Sequence, residues 1–225
     1  MSKNKLQKFS ENRTFPNLFQ YGYEDLQQAE FSLKGKWGTK FFRNRNPLIL
    51  ELGCGKGEYT IGLAQRYPEK NFIGVDIKGA RLWKGLNDAK NLGLSNVAFI
   101  RTRIELIEAF FGSDEVAEIW ITFPDPQPQK SRQRKRLTHP LFLNRYRNFL
   151  QKDGLIHLKT DSELLYEFTK EVIAEQGLTL YSDTADLYAT TDHLEVKTIR
   201  TFYEDIWLKS NLSIKYLCFS PHHEC

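Results

Sequence analysis

The 225-residue chain is 40% hydrophobic, 27% charged and 13% aromatic, with a net charge of +4. A chain of this length and composition builds one globular domain that needs neither a disulfide nor a metal for its stability. It contains no apolar run of about 18 residues, no apolar signal segment and no C-x-x-C pair among its three cysteines, which excludes a membrane span, a secretory leader and a zinc ribbon. We therefore expect a soluble, reduced, cytoplasmic protein.

The first 46 residues are rich in basic and aromatic side chains. Nine lysines and arginines stand against four acids in this stretch, and Phe9, Phe15, Phe19 and Tyr21 are interleaved with them. Such an arm suits stacking on bases and contact with phosphates, whereas the alternative is a terminus whose aromatic residues are pinned to the body. We predict a partly flexible arm over 1–46, one α/β domain over 47–219, and a tail over 220–225 that is mobile rather than a metal site.

From residue 47 onwards, short apolar runs alternate with stretches of helical periodicity. We predict strands over 47–52, 71–76, 96–100, 118–123, 154–160, 178–181 and 212–219. We predict helices over 57–67, 80–92, 104–111, 140–150, 162–175 and 199–209. This alternation indicates βαβ units and hence an α/β fold, a doubly wound, mostly parallel sheet of seven strands with helices on both faces.

Acidic residues follow most of the predicted strands. In a doubly wound sheet the ligand binds at the carboxyl ends of the strands. At these ends the chain places Glu51, Asp76, Thr102 with Arg103, Asp125 and Asp161. The sequence therefore predicts a ligand site that is lined by carboxylates.

A glycine-rich loop with the sequence E-L-G-C-G-K-G follows the first predicted strand. Gly53, Gly55 and Gly57 have the spacing G-x-G-x-G, which differs from the G-x-G-x-x-G of dinucleotide enzymes. Glu51 suits a ligand with a cationic group and disfavours a pyrophosphate, and Asp76 is placed to accept both hydroxyls of a ribose. S-adenosylmethionine meets these conditions, because it carries a sulfonium and an ammonium group but no phosphate. The alternative is a tight strand-to-helix turn without a ligand.

A proline-rich loop follows the fourth predicted strand and leads into a basic run. Pro124 and Pro126 bracket Asp125 and stiffen the chain around it. The run that follows contains Lys130, Arg132, Arg134, Lys135 and Arg136 and no acid. A carboxylate can accept both donors on the Watson–Crick edge of guanine, and arginine and lysine suit the surrounding phosphates. The alternative is an ordinary proline-rich turn with a solvated aspartate.

Five segments together resemble one known family. ELGCGKGEYT, GVDIKGARLWKG, TFPDPQPQK followed by KRL, LKTDS and TFYE are similar, in this order and spacing, to the bacterial tRNA (guanine-N7)-methyltransferases. These are class I S-adenosylmethionine-dependent enzymes, and the resemblance covers residues 48–219. It implies a Rossmann-like class I sheet whose last strand is antiparallel. It also implies transfer of a methyl group to N7 of guanosine 46 in the variable loop of tRNA.

The resemblance implies a role for each matching position. Asp125 would be catalytic. The cofactor-binding positions would be Glu51, Gly53, Gly55, Gly57, Asp76 and Arg103. The substrate-binding positions would be Gln129, Lys130, Arg132, Arg134, Lys135, Arg136, Asp161, Thr201 and Glu204. No metal is implied, the partner is tRNA rather than a membrane, and the chain would be a monomer or a homodimer.

The chain departs from the family pattern at two places. Arg103 replaces the acid that would accept from the adenine amino group, so this hydrogen bond would come from Glu105 or a backbone carbonyl, with Arg103 facing RNA as the alternative. The family lysine after the proline-rich loop has Gln129 at its position, with Lys130 one place later.

Some of these residues and the function itself have alternatives that the sequence leaves open. Asp161 precedes a helical stretch and could be its N-cap, while Thr201 and Glu204 could share a solvated helix face. A methyltransferase for another RNA or a small molecule would share the glycine loop, and an inactive RNA-binding module would keep the basic run. A nicotinamide oxidoreductase fits least, because the glycine spacing differs.

Overall fold

The computed structural model describes residues 5–223, without the side chains of residues 194, 195, 202 and 203. The predicted tail over 220–225, with Cys225, thus lies partly outside the described residues. The strands are β1 (Leu18–Gln20), β2 (Leu48–Leu52), β3 (Asn71–Asp76), β4 (Val97–Arg101), β5 (Val116–Thr122), β6 (Leu150–Thr160), β7 (Leu180–Thr184) and β8 (Lys215–Phe219). The α-helices are α1 (Lys5–Asn12), α2 (Tyr23–Gln28), α3 (Glu58–Arg66), α4 (Gly79–Asn91), α5 (Pro140–Tyr146), α6 (Glu163–Glu175), α7 (Leu194–Lys197) and α8 (Phe202–Lys209). There are 3-10 helices at Ile104–Ala109 and Lys130–Lys135, and a π-helix at Trp37–Phe42.

The eight strands form one sheet in the order β1-β4-β3-β2-β5-β6-β8-β7. Every neighbouring pair from β1 to β6 is parallel, and β8 is antiparallel to both β6 and β7. The predicted doubly wound, mostly parallel sheet with an antiparallel last strand is therefore confirmed. Since β2 to β6 run in one direction, their carboxyl ends meet at one edge, where the acidic residues were predicted to lie.

The sheet has one strand more than the seven predicted, and the first segment of the chain contributes it. β1 pairs with β4 in parallel, with Leu18 opposite Phe99. The ring of Phe19 packs edge-on against Trp37, and the centroids of the two rings lie 5.0 Å apart. The α1 helix lies on α4, where the indole nitrogen of Trp83 donates to Glu11 over 2.7 Å. Aromatic residues of the arm are thus pinned to the sheet, while the domain division at residue 46 stays a prediction.

The core lies on both faces of the sheet because the central strands are buried along their whole length. All residues of β2 and β3 are buried, as is typical of parallel strands covered by helices on both sides. Side chains alternate between the faces, so Leu48, Leu50 and Leu52 join one apolar cluster while Ile49 joins the other. None of the helices in the described part of the chain is long and apolar enough to cross a membrane.

Candidate active site

The glycine-rich loop turns from β2 into α3 and leaves a cleft beside it. Gly55 has a φ of +58°, and a Cβ at this position would meet no atom within 4 Å, so it would project into the cleft itself. Gly57 is constrained by packing, because a Cβ there would lie 2.7 Å from the ring of Phe99. Glycine at position 55 therefore keeps the cleft open, and glycine at position 57 allows the close packing of Phe99.

Four backbone amides of this loop donate hydrogen bonds within the protein. Gly53 and Cys54 donate to the carbonyl of Val75, and Gly57 donates to the carbonyl of Cys54. The amide of Gly55 donates to the carboxylate of Asp76 over 2.9 Å. A pyrophosphate site needs such amides as donors to its oxygens. These four amides are therefore not free to bind a phosphate group, in agreement with the glycine spacing of the loop.

Glu51 is a buried carboxyl group at the bottom of the cleft. It accepts hydrogen bonds from the backbone N–H and the hydroxyl of Thr60 and, over 2.7 Å, from the hydroxyl of Thr122. Burial raises the pKa of Glu51 to about 7, and the negative charge of Asp76 adds to this rise, while the hydrogen bonds from Thr122 and Thr60 oppose it. A cation bound beside Glu51 would stabilise its ionised form.

The cleft has two lobes, and Gly53 lines both of them. We call it the Gly53 cleft. One lobe has a volume of about 260 Å³ and also contains Asp76, Arg103 and Glu105. The other has a volume of about 90 Å³ and also contains Glu51. Together they reach the lower end of the size range of small-molecule sites, about 300–1,000 Å³. Their carboxylates fit a ligand with cationic and hydroxyl groups, such as the predicted S-adenosylmethionine.

Arg103 and Glu105 lie side by side in the larger lobe. The Nε atom of Arg103 and a carboxylate oxygen of Glu105 are 4.0 Å apart. The side chain of Arg103 is 67% exposed and that of Glu105 is 50% exposed. Glu105, one of the two acceptors expected for the adenine amino group, thus lines the larger lobe. The cofactor-binding role of Arg103 stays a prediction.

The proline-rich loop, which carries Asp125, adjoins both lobes, although Asp125 itself lines neither of them. Phe123, two residues before Asp125, lines the smaller lobe, and Gln127, two residues after it, lines the larger one. Phe123 and Gln127 have φ angles of +50° and +46°, which are unfavourable for residues with a side chain. The carboxylate of Asp125 accepts from the amide of Gln127 over 3.0 Å and is otherwise exposed towards solvent.

The basic run forms the 3-10 helix Lys130–Lys135, whose residues are all exposed. Lys135 also lines the larger lobe, so this helix adjoins the Gly53 cleft. Arg136 differs from its neighbours because only 6% of it is exposed. Its guanidinium group donates to the carbonyls of Pro126 and Gln127 rather than pointing outwards. The run therefore separates into an exposed basic helix and one inward-facing arginine.

The segment 201–204 caps α8 and is tied to the sheet by a buried ion pair. Thr201 is the N-cap of α8 and lines the smaller lobe, and Glu204 completes a capping box with it. The carboxylate of Glu204 lies 2.7 Å from the Nζ atom of Lys159 in β6, and both side chains are fully buried. The hydroxyl of Tyr188 donates to the same carboxylate over 2.7 Å. The alternative of a solvated helix face is therefore wrong for Glu204.

Asp161 follows β6 and is half-buried beside α6. Burial raises the pKa of its carboxyl group, an effect that the nearby Lys215 partly offsets. The N-cap of α6 is Ser162, whose hydroxyl accepts from the amide of Leu165, so the capping alternative for Asp161 is wrong. The substrate-binding roles of Asp161, Thr201 and Glu204 stay predictions.

Comparison with known proteins identifies the family. A family model described as a putative methyltransferase matches residues 45–217. The chain is 50% identical over 219 residues to the tRNA (guanine-N(7)-)-methyltransferase of Bacteroides fragilis (strain YCH46), with 97% of this chain and 86% of that protein covered. It is 54% identical over 209 residues to the enzyme of the same description from Porphyromonas gingivalis (strain ATCC BAA-308 / W83), covering 92% and 85%. The chain belongs to the tRNA (guanine-N(7)-)-methyltransferase family.

Solved structures of other methyltransferases share the fold of this family member. The 16S rRNA methyltransferase KamB superimposes with a TM-score of 0.62 at 16% identity, covering 83% of this chain and 94% of that chain. A geranyl diphosphate methyltransferase in complex with SAM does so with a TM-score of 0.51 at 18% identity, covering 77% of each chain. Likeness at such identity concerns the fold alone.

Four residues that hold predicted site residues in place were not predicted from the sequence. Thr60 and Thr122 hold Glu51, while Lys159 and Tyr188 hold Glu204. Lys159 had a signal in the sequence, because a lysine within an apolar strand needs a buried partner. Thr60 and Tyr188 had none, since their importance depends on which distant residue they contact.

Another cavity among the described residues is lined by none of the predicted site residues. It has a volume of about 440 Å³ and opens towards the amino-terminal ends of β3 and β5, where it is lined by Phe72, Glu118 and Trp120 among others. It is larger than either lobe of the Gly53 cleft but lies away from the strand ends that carry the carboxylates. Among residues 5–223, no group of three or more histidine, cysteine or acidic side chains is arranged to hold a metal ion.

Proposed function

We propose that this chain transfers the methyl group of S-adenosyl-L-methionine to N7 of guanosine 46 in the variable loop of tRNA, in the cytoplasm. The observation that carries the proposal is the position of the loop of Asp125, whose residues Phe123 and Gln127 line the two lobes of a carboxylate-lined cleft next to an exposed basic helix. Membership of the tRNA (guanine-N(7)-)-methyltransferase family supports the choice of base and of RNA class.

The residues of the Gly53 cleft would hold the cofactor. Asp76 would accept the two ribose hydroxyls, and Glu51 would favour the cationic end of the molecule. Gly55 leaves the space that a side chain would fill. Once bound, S-adenosylmethionine supplies an electrophilic methyl group on a sulfonium centre.

Asp125 would orient the guanine and stabilise its developing charge. N7 of guanine carries a lone pair and no proton at neutral pH, so no base is required to create the nucleophile. Orientation of the two reactants can contribute about 7–11 kcal/mol in favourable cases. Positive charge moves onto the purine as the methyl group is transferred, and a fixed carboxylate beside the ring stabilises this charge.

The exposed basic helix would carry the tRNA. The residues of this segment that would contact the substrate are Gln129, Lys130, Arg132, Arg134 and Lys135, and Asp161 and Thr201 would contact it from elsewhere in the fold. The charged ends of Arg136 and Glu204 are bonded inside the protein, so these two residues would support the site through the segments that they hold.

Binding of the cofactor is expected to tighten as the pH rises through about 7. The pKa of Glu51 is raised to about 7 by burial, and a cation favours the ionised carboxylate, so binding below this pH must release a proton. The affinity should increase by up to about tenfold per pH unit below the pKa and level off above it. Calorimetry with S-adenosylmethionine across this range measures the effect, and Glu51→Gln should remove it. A wild-type affinity that does not change with pH would refute the proposed contact.

Loss of two exposed arginines is expected to weaken tRNA binding and to reduce its salt dependence. Arg132→Gln with Arg134→Gln removes two phosphate contacts, so the slope of log K against log salt should fall by about 1.4–1.8. The affinity for S-adenosylmethionine should not change. The matched control is Lys90→Gln with Lys152→Gln, which removes two exposed charges outside the proposed site. An equal loss of slope in the control pair would mean that the basic helix is not the RNA contact.

Mass spectrometry of nucleosides tests the proposed reaction. The full chain is incubated with bulk unmodified tRNA and S-adenosylmethionine, and the RNA is then digested. We expect 7-methylguanosine as the new modified nucleoside. A different methylated nucleoside would overturn the base assignment, and the absence of transfer by a chain that binds the cofactor would overturn the RNA assignment.

A further inference from the structure

We propose that Arg136 is a positioning residue that holds the loop of Asp125 in its working geometry, and that it makes no contact with RNA phosphate. The inference rests on the proposed function, because it takes Asp125 as the residue that touches the guanine. It separates Arg136 from the exposed arginines of the same run.

The contacts of Arg136 join it to the two residues that follow Asp125. Its Nε atom donates to the carbonyl of Pro126 over 3.0 Å, and one terminal nitrogen donates to the carbonyl of Gln127 over 3.1 Å. The planar guanidinium group thus bridges two successive carbonyls, which a single ammonium group cannot reproduce in the same geometry. These two bonds fix the peptide units directly after the carboxylate.

The side chain of Arg136 is packed against the protein, so little of its surface is accessible to a nucleic acid. The face of the guanidinium group lies 4.4 Å from the centre of the Phe168 ring, in α6. Only 6% of the residue is exposed, whereas Arg132 and Arg134 are exposed. Burial lowers the pKa of the Arg136 side chain, and the carboxylate of Glu171 partly offsets this. The edge of the guanidinium group and one of its faces are therefore both in contact with the protein.

The loop of Asp125 has few backbone donors with which to hold itself in place. Three prolines remove backbone donors from the segment 124–128, so it cannot join a strand ladder. Phe123 and Gln127, with φ angles of +50° and +46°, stand in costly conformations on either side of Asp125. The amide of Phe123 is held by the carbonyl of Lys159 over 2.8 Å, on the side of the sheet. Arg136 provides the corresponding anchor on the far side.

A positioning role predicts a loss of kcat without a loss of RNA affinity. Arg136→Lys keeps the charge but loses the planar bridge, and Arg136→Gln also loses the charge. We expect kcat at saturating tRNA and cofactor to fall by about 10- to 100-fold, as is typical when a reacting group is displaced by about 1 Å. The Kd for tRNA and its salt slope should remain within about twofold of wild type, since no phosphate contact is removed.

Arg147→Lys is the matched control. The Nε atom of Arg147 also donates to a proline carbonyl, that of Pro221, and burial also lowers the pKa of this arginine. It lies at the end of α5 and lines neither lobe of the Gly53 cleft. The same chemical change there should leave kcat unaltered. A similar fall in kcat for Arg147→Lys would attribute the effect to general destabilisation and overturn the proposal.

A double-mutant cycle with Asp125→Asn provides the decisive readout. If Arg136 acts through Asp125, Arg136→Lys should change kcat by less than about twofold when Asp125 is already asparagine. Independent, multiplicative losses would overturn the proposal, as would a normal kcat combined with a weaker and less salt-dependent tRNA affinity. Thermal unfolding of each variant identifies any that fails to fold, and Arg136→Lys, which retains the charge, then replaces Arg136→Gln. A wild-type chain that makes no 7-methylguanosine refutes the proposed function, whereas an active wild type with a fully active Arg136→Lys refutes only the role of Arg136.

Discussion

Asp125→Asn is expected to lower kcat by about 10²–10³-fold, the usual cost of removing one electrostatic contact to a transition state. Asparagine has the shape of aspartate, and its side-chain oxygen can still accept from the amide of Gln127, so the loop should keep its conformation. The negative charge that stabilises the methylated purine is lost. Single-turnover kinetics with saturating tRNA measure the chemical step, and calorimetry should find the Kd for S-adenosylmethionine within about twofold of wild type.

Asp153→Asn serves as the control for this substitution. Asp153 is an exposed aspartate in the first half of β6, away from the strand ends that carry the site. Its replacement should leave both kcat and cofactor affinity unchanged. If Asp125→Asn retained more than half of the wild-type rate, the charge of Asp125 would have no part in the reaction and the assignment would fail.

Glu204→Gln is expected to lower the free energy of unfolding by about 3–5 kcal/mol, because it leaves Lys159 buried without a counter-charge. Lys159 Nζ also donates to the carbonyls of Val196 and Ile199, so the pair ties the segment before α8 to the end of β6. Burial lowers the pKa of Lys159, and the opposing effect of Glu204 would vanish in the variant. Urea unfolding at constant pH measures the change in midpoint.

Two comparisons make this prediction specific to a buried pair. Replacing both partners, with Lys159→Met and Glu204→Leu, should recover much of the lost stability, since no unpaired charge remains. Asp88→Asn breaks the ion pair with Lys84 on the surface of α4 and should cost less than about 1 kcal/mol. Equal costs for Glu204→Gln and Asp88→Asn would show that the buried pair adds nothing to the fold.

The central sheet could be predicted from the sequence because its strands are buried on both faces. Such strands appear as continuous apolar runs, and β2 and β3 were placed within one residue of their observed bounds. β1 was missed because it has only three half-buried residues and no periodicity, and it forms by pairing with the edge of β4. The predicted helix over 199–209 was observed as α8 from Phe202, because Thr201 caps it there.

The candidate site could be predicted in its positions but not in its contacts. Carboxylates after parallel strands must gather at one edge, so Glu51, Asp76 and Asp125 were expected near each other. The direction of a side chain depends on residues far away in the chain, and this separates Arg136 from the exposed arginines beside it. For the same reason Glu204 resembled a surface residue in the sequence, although its partner Lys159 lies 45 residues earlier.

The most direct test of the proposed reaction uses two unmodified tRNA transcripts that differ only at position 46, one with guanosine and one with adenosine. Each is incubated with the full chain and S-adenosylmethionine that carries an isotopically labelled methyl group, and the label is mapped by mass spectrometry of RNA fragments. We expect labelled 7-methylguanosine at position 46 of the first transcript and no label in the second. Equal labelling of both transcripts, or a label on another base, would contradict it.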